Sequence, residues 1–160
     1  MNPNWVWSAP KALAFMPTIM WVRSDGGNVP NNAVPGGKDG GEKTYIGRAE
    51  HKGDLIPAKV VASHGCCYVS YAGGEHRYEN YEILVFDGAS VHWVASSGGS
   101  VPGRAVEGGR TSSGEKLYIG RTHHEGTVTV GKIQPSHECL YIPYGGCEHR
   151  YTGYEALALQ

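Results

Sequence analysis

One acidic and two basic side chains have the types and settings to bind a hydroxyl-rich ligand. Asp39 stands in the glycine-rich segment Gly36-Gly37-Lys38-Asp39-Gly40-Gly41, and Lys59 and Lys132 lie in similar strand-like runs. A carboxylate accepts hydrogen bonds from neighbouring hydroxyls, and an ammonium donates to their remaining lone pairs, in bonds about twice as strong as neutral ones. Asp is also a common turn residue, and both lysines suit a solvated strand. The residues alone leave binding and structural roles open.

A metal site is the second chemistry that the residue types suggest. The chain contains eight histidines and four cysteines. Those that recur at matching positions are His51, His64, His76, His124, His137, His149, Cys66 and Cys139. Their spacings fit no zinc-binding pattern, and the neighbouring thiols of Cys66 and Cys67 rarely reach disulfide geometry. We therefore expect hydrogen-bonded histidines, free thiols in a reducing compartment, and no metal ion or other cofactor.

The sequence shows no set of residues that together suit catalysis. Glu75 and His76 could act as general acid and base, but no nucleophile or polarising group stands out beside them. The sequence also lacks a glycine-rich strand-to-helix turn of the kind that holds a nucleotide cofactor, which argues against a methyltransferase. The Glu-His-Arg-Tyr segment is better explained by charged side chains that satisfy backbone groups at a turn. We expect the protein not to be an enzyme.

The elements that position these side chains come from an internal duplication. The clearest matches pair Tyr45-Ile46-Gly47-Arg48 with Tyr118-Ile119-Gly120-Arg121, Glu75-His76-Arg77-Tyr78 with Glu148-His149-Arg150-Tyr151, Ala33-Val34 with Ala105-Val106, Gly36-Gly37-Lys38 with Gly108-Gly109-Arg110, and Gly41-Glu42-Lys43 with Gly114-Glu115-Lys116. A slip of one residue falls near Asp39, where a surface loop absorbs it. The duplication predicts two repeats, at residues 21–88 and 89–160, after an N-terminal arm or extra strand at residues 1–20.

Both repeats have the pattern of short strands joined by turns, without a sustained helical period. Residues 43–49 alternate polar and apolar, residues 52–54 form a turn, and residues 81–86 form a later apolar run. Pro57 interrupts the run at residues 55–62, which predicts an edge strand or a bulge. A single repeat has a marginal core. We therefore predict an all-β fold of two homologous antiparallel β units, β-sandwich-like, that pack with pseudo-two-fold symmetry.

Charge and hydropathy narrow the range of partners. The formal net charge is -1 and 40% of the residues are hydrophobic, so we expect a folded core and no nucleic-acid partner. The apolar stretch at residues 12–22 contains Pro17 and is too short to span a bilayer, so we expect no transmembrane segment. It also lacks the features of a signal peptide. This predicts a cytoplasmic location, with unconventional secretion as the alternative.

A combination of motifs resembles a known family. The pattern Gly-Glu-Lys-x-Tyr-Ile-Gly-Arg occurs at residues 41–48 and 114–121, and in the first copy Pro57-Ala58-Lys59 and Gly73-Gly74-Glu75-His76 follow it. This arrangement resembles the DM-nine repeat family, whose repeats also form the front part of natterin-like proteins. Each short motif is weak, but the combination is specific and covers both copies.

The resemblance implies a function and a site. Tandem members of the family look like mannose-binding lectins that need no calcium and associate as dimers, and their Asp and Lys that hold the sugar correspond to Asp39 and Lys59. In the second copy the lysine is Lys132, whereas Thr111 or Ser112 replaces the Asp, which puts the affinity of that site in question. By resemblance, the ligand is mannose or a mannose-containing glycan, the assembly is a homodimer, and the role lies in pathogen recognition or innate immunity.

Two other functions need to be weighed. A protein-binding or membrane-associated scaffold with the same fold is favoured by the absence of a signal peptide. Pore formation, as in natterin-like toxins, would need a membrane-inserting module, and the sequence ends at Gln160 directly after the second copy. We therefore keep the intracellular scaffold as the alternative to the lectin.

Overall fold

The computed structural model describes residues 18–87 and 90–160, which form β-strands and two short 3₁₀ turns. The strands of the first half are β1 (Thr18–Asp25), β2 (Pro35–Asp39), β3 (Glu42–His51), β4 (Asp54–Val61), β5 (Cys66–Tyr71), β6 (Gly74–Tyr78) and β7 (Asn80–Asp87). Those of the second half are β8 (Val91–Ser97), β9 (Glu107–Arg110), β10 (Lys116–His124), β11 (Thr127–Gln134), β12 (Cys139–Tyr144), β13 (Cys147–Tyr151) and β14 (Gly153–Leu159). The 3₁₀ turns are Ala62–His64 and Pro135–His137. The all-β prediction is confirmed for the described residues.

Most of the predicted N-terminal arm lies outside the described residues. Residues 1–17 fall there, including Trp5, Trp7 and Phe15, and the rest of the arm begins β1. In the described part of the chain, no helix has the length and apolar character needed to cross a membrane. The division into repeats at residues 21–88 and 89–160 stays a prediction.

The strands pair antiparallel and eight of them close into a ring. The ring runs in the order β2-β11-β12-β13-β6-β5-β4-β3 and closes through the pairing of β3 with β4. Strands β7 and β1 continue from β3 on one side. On the other side, β9 and β10 lie between β4 and β11, because β10 pairs with both β9 and β11, and β14 and β8 continue from β10. Closure leaves the ring strands without free edges, which removes sites of unwanted strand addition.

Strands of the two halves join at three places in the sheet, two of which lie in this ring. Strand β2 pairs with β11 at Lys38 and Val128, β4 pairs with β9 at Leu55 and Arg110, and β6 meets β13 at Gly74 and Cys147. Backbone hydrogen bonds from Glu75 N to Gly146 O (3.0 Å) and from Glu148 N to Gly73 O (2.9 Å) complete the last junction. The halves are therefore joined by backbone pairing as well as by side-chain packing.

Pro57 lies inside the ring rather than at an edge or a bulge. Strand β4 pairs with β3 from Asp54 to Val60, with Pro57 opposite Arg48 and no shift in register. On its other side β4 pairs with β9 at Leu55 and with β5 from Lys59 onward. The missing N–H of Pro57 therefore falls where β4 changes partner, so no ladder hydrogen bond is lost there.

Three apolar clusters fill the space between the strands. One lies within the first half around Ile56, Val60 and Ile83, and another within the second half around Ile133 and Leu140. The central cluster combines residues of both halves: Val34, Ile46, Leu84, Val106, Ile119, Val130 and Leu157. Full burial of each large aliphatic side chain stabilises the fold by about 1.5–3 kcal/mol. The central cluster therefore makes each half depend on the other.

Candidate functional site

Lys59 is a buried ammonium held by groups from both halves of the chain. Its residue is only 4% exposed, and Nζ donates to Pro143 O at 2.9 Å. Glu75 Oε2 lies 3.9 Å from Nζ. The rings of Tyr68 and Tyr144 flank the ammonium, with centroids 5.5 and 5.3 Å away. Burial lowers the pKa of Lys59, while the Glu75 and Asp39 carboxylates act in the opposite direction.

Asp39 lies close to Lys59 but is not the carboxylate in contact with it. Asp39 ends β2, opposite Glu42 on β3, in a half-buried position. Its charge reaches Lys59, because it is among the groups that raise the pKa of that ammonium. The carboxylate within 4.0 Å of Lys59 among the described residues is Glu75. The link between Asp39 and Lys59 is therefore electrostatic, and Glu75 supplies the ion pair.

Lys132 has a matching set of contacts on the other side of the β6–β13 junction. Its Nζ donates to Ser70 O at 2.8 Å, lies 3.4 Å from Glu148 Oε2, and is 4% exposed as a residue. The rings of Tyr141 and Tyr71 flank it at 5.5 and 5.6 Å. Each lysine is therefore placed between one tyrosine of its own half and one tyrosine of the other half.

The second site opens into a polar hollow of about 550 Å³ that is lined by Lys132, Glu148 and Tyr141. Asp54, from the first half, lines the same hollow, and its Oδ1 accepts a hydrogen bond from Ser112 N at 2.8 Å. Ser112 belongs to the loop that lacks the Asp predicted for this site. A carboxylate therefore reaches the second loop from the other half of the chain.

Within the described part of the chain, the ion pair of Glu148 with Lys132 leaves one carboxylate oxygen without a hydrogen bond. Glu148 Oε2 is buried and has no hydrogen-bond partner among the described residues, although its Oε1 accepts from Gly73 N at 3.2 Å. Buried polar atoms are nearly always hydrogen-bonded, so an exception calls for a partner. A lysine ammonium has three N–H donors, and Lys132 uses one of them on Ser70 O. The pair can offer both an acceptor and a donor to a bound hydroxyl.

A glutamate beside the turn of each hairpin (β2–β3 and β9–β10) makes a recurring set of hydrogen bonds. Glu42 accepts hydrogen bonds from Ser63 N (3.2 Å) and Ser63 Oγ (2.6 Å). Glu115 accepts the corresponding bonds from Ser136 N (2.8 Å) and Oγ (2.7 Å). These bonds tie each hairpin to the neighbouring 3₁₀ turn. The recurring Gly-Glu-Lys motif thus has a structural role as well as being a family mark.

The recurring histidines lie behind the tyrosines of the lysine sites. The rings of His51 and His76 stack with centroids 4.0 Å apart, and His51 meets the edge of Tyr71 at 4.9 Å. His51 Nδ1 shares a 2.6 Å hydrogen bond with Tyr78 Oη, whereas its Nε2 is buried without a partner among the described residues. His124 and His149 form the matching pair at 4.3 Å. Within the described ranges, no three His, Cys, Asp or Glu side chains are grouped to hold a metal ion.

Stability should fall as the pH drops below about 6.5, the ordinary pKa of histidine, and His51 should carry part of this loss. Burial, with the nearby His76 charge, lowers the pKa of His51 in the folded protein. The unfolded chain then binds the proton first, so the free energy of unfolding decreases from that pH down to the lowered pKa of the folded state. Urea unfolding between pH 7.5 and 5.5 measures the slope.

The His51→Phe variant should have a flatter slope over this range, because it keeps a ring in the stack and removes the titrating group. The matched control is His92→Gln, since His92 is an exposed histidine on β8. Equal slopes in wild type and His51→Phe would contradict the assignment.

Sequence reasoning missed the partners of the two lysines. Glu75 and Glu148 were interpreted as turn residues. A signal was present, since each copy that keeps the lysine also keeps the Glu of the Glu-His-Arg-Tyr segment. Pro143 O and Ser70 O had no such signal, because a backbone carbonyl carries no side-chain identity.

A closed ring of strands with two buried lysine–glutamate pairs defines an all-β protein whose charged sites are built by strands from both halves of the chain. The model of the DM9 repeat matches residues 38–151, and the chain belongs to the DM9 repeat family. The resemblance to this family seen in the motifs is confirmed.

Similar proteins include natterins of Thalassophryne nattereri. Natterin-3 is 31% identical over 147 residues, which cover 88% of this chain and 36% of that protein. Natterin-4 is 30% identical over 148 residues, which cover 87% of this chain and 33% of that protein. The chain therefore spans about a third of the length of these curated relatives.

A solved structure shares the fold. The crystal structure of the nematode sperm cell motility protein MFP2B superposes with a TM-score of 0.69 over 96% of this chain and 50% of that one. The sequence identity is 15%, so the likeness concerns the fold alone.

Proposed function

We propose that this protein binds carbohydrate, as a calcium-independent lectin of the mannose type with one site in each repeat. The observation that carries the proposal is the buried ion pair of Lys132 and Glu148, in which Oε2 accepts no hydrogen bond among the described residues and the ammonium uses one of its three N–H groups on Ser70 O. Adjacent sugar hydroxyls can donate to this carboxylate and accept from this ammonium. The flanking ring of Tyr141 adds an apolar face against which a pyranose can pack.

Both sites are included in the proposal. At the first site the sugar would meet Asp39, Lys59 and Glu75. At the second site Asp54 would stand in for the carboxylate that the Thr111 loop lacks, since it lines the same hollow as Lys132 and anchors that loop. The matching contacts of the two lysines support a pseudo-two-fold relation between two homologous β units.

Affinity at one site should be modest, and repetition should raise it. A hydrogen bond to a charged group contributes about 1.5–3 kcal/mol, so a few of them correspond to about millimolar to tens of micromolar binding. Two sites per chain in a homodimer would raise the effective affinity for mannose-containing glycans. The proposal further includes a cytoplasmic location or unconventional secretion, a role in pathogen recognition or innate immunity, and the absence of enzyme activity.

Reversing the charge at Asp39 should weaken mannose binding at the first site at least about tenfold, which corresponds to about 1.4 kcal/mol. The Asp39→Lys variant removes a carboxylate and places a second cation near Lys59, and the fold should hold because Asp39 is only half-buried at the end of a hairpin. Calorimetric titration with mannose in EDTA measures affinity and stoichiometry. The matched control is Glu50→Lys, the same charge change at an exposed strand residue.

Asp54→Asn should weaken the second site in the same assay, because the amide keeps the shape of Asp54 and removes its charge. Silence of the folded wild-type protein on a mannose-containing glycan array would overturn the lectin proposal. Capture of a protein partner that competing sugar does not affect would favour the scaffold instead.

A further inference from the structure

A second concave surface lies on the opposite face of the β2–β3 hairpin from Asp39. Successive residues of a strand point to opposite faces, so Lys38 faces away from the lysine sites. It lines a hollow of about 530 Å³ together with Lys43, Trp93, Arg121 and His123. We call this hollow the Lys38 groove. It is separate from the proposed sugar sites.

Two ammonium groups face each other in this groove. Lys38 and Lys43 are direct cross-strand partners on β2 and β3, and both are exposed. Like charges directly opposite each other destabilise a sheet. Neither lysine belongs to an ion pair among the described residues. The groove therefore concentrates positive charge without a compensating contact.

The other half of the chain contains the same arrangement in neutralised form. Arg110 and Lys116, which align with Lys38 and Lys43, are also direct cross-strand partners. Here Glu107 bridges both, with contacts of 3.7 Å to Arg110 and 3.0 Å to Lys116. The residue that aligns with Glu107 is Pro35, which lines the Lys38 groove.

At a second position, too, the Lys38 groove lacks an acidic residue that the aligned position has. His123 on the rim of the Lys38 groove aligns with Glu50 in the first half. Arg121 also lines the groove, where its guanidinium lies 4.1 Å from the Trp93 ring centroid and its Nε donates to Glu155 Oε1 at 3.2 Å. The groove thus carries three cations against the one carboxylate of Glu155.

We propose that the Lys38 groove binds the sulfate or phosphate monoester group of a small polar molecule. A tetrahedral oxyanion would take the place that Glu107 occupies in the other half, and would accept from Lys38 and Lys43 at once. Charge-assisted bonds to such oxygens are the strong ones. Arg121, already fixed by Trp93 and Glu155, adds to the positive field.

Titration with inorganic sulfate and inorganic phosphate, followed by amide NMR shifts, tests the groove. Ionic strength is held constant with sodium chloride, because nonspecific attraction is screened by salt. We expect saturable shifts centred on Lys38 and Lys43. Pro35→Glu should weaken binding about tenfold or more by supplying the acid of the other groove, and Lys38→Gln about tenfold. Glu107→Gln should create a second saturable site at Arg110.

Titration with glucose 6-phosphate and with glucose 6-sulfate shows which class of monoester the groove binds, and glucose is the neutral control. Equal binding of wild type and Pro35→Glu, or shifts of the same size when chloride replaces sulfate at equal ionic strength, would overturn the proposal. Asp39→Lys should weaken mannose binding while saturable oxyanion shifts at Lys38 and Lys43 persist, so the two proposals can fail separately. Circular dichroism verifies the fold of each variant.

Discussion

Replacing Lys59 by methionine should abolish the first sugar site and destabilise the fold by about 3–5 kcal/mol, the usual loss when one partner of a buried ion pair is removed. Methionine keeps the length and apolar stem of the lysine. It leaves the 13%-exposed Glu75 side chain without its cation and Pro143 O without its donor. Urea unfolding and calorimetric mannose titration measure the two losses, and the stoichiometry should fall from two sites to one.

The double variant Lys59→Met, Glu75→Gln separates folding from binding. Glutamine removes the uncompensated charge and keeps an acceptor for Gly146 N, which donates to Glu75 at 3.1 Å. Most of the lost stability should therefore return, while the first site stays inactive. Wild-type stoichiometry in Lys59→Met would refute the assignment of Lys59, and a double variant no more stable than the single one would refute the charge explanation. Lys132→Met is the corresponding test of the second site.

Gly37→Ala should destabilise the ring by about 3 kcal/mol, at the upper end of the cost of overpacking. A Cβ on Gly37 would lie 1.9 Å from Val128 O, and a Cβ on Gly109 would lie 1.9 Å from Leu55 O. These obstacles are backbone atoms at the β2–β11 and β4–β9 junctions, so the strands themselves must move apart. Since domains are stable by about 5–15 kcal/mol, the double variant Gly37→Ala, Gly109→Ala should approach complete unfolding.

Gly153→Ala is the control for these substitutions. Gly153 begins β14, is exposed, and has no atom within 4 Å of the added Cβ among those described. Alanine there should be neutral or stabilise by up to about 1 kcal/mol, because it reduces the freedom of the unfolded chain. Thermal unfolding compares the variants. A Gly37→Ala protein as stable as Gly153→Ala would show that the strands at these junctions can move apart at little cost in stability.

Local patterns predicted the strands well and their partners poorly. The alternation at residues 43–49 lies within β3, and the apolar run at residues 81–86 lies within β7. Side-chain alternation is a property of a few consecutive residues, so the sequence displays it directly. Pro57 was expected at an edge because sequence cannot show that its neighbour changes from β9 to β5 at that point.

In the candidate site, too, some residues could be predicted from the sequence and others could not. Lys59, Lys132 and Asp39 were identified from motifs because their side chains recur or match a family. Asp54 had no motif, and it reaches the Ser112 loop across 58 positions of sequence. Such a contact depends on how two halves pair, which no local spacing encodes.

The sequence by itself determined an all-β chain and membership in the DM9 repeat family. It also determined which lysines to examine, because residue types and the alternation typical of a strand can be read from a short stretch of sequence. Only the tertiary structure decided that strands of both halves close into one ring, with β11, β12 and β13 of the second half inserted between β2 and β6 of the first. Ring closure brings Pro143 O to Lys59 across 84 positions and Ser70 O to Lys132 across 62. The two ammoniums are therefore buried and partnered by groups that the chain places far from them in sequence.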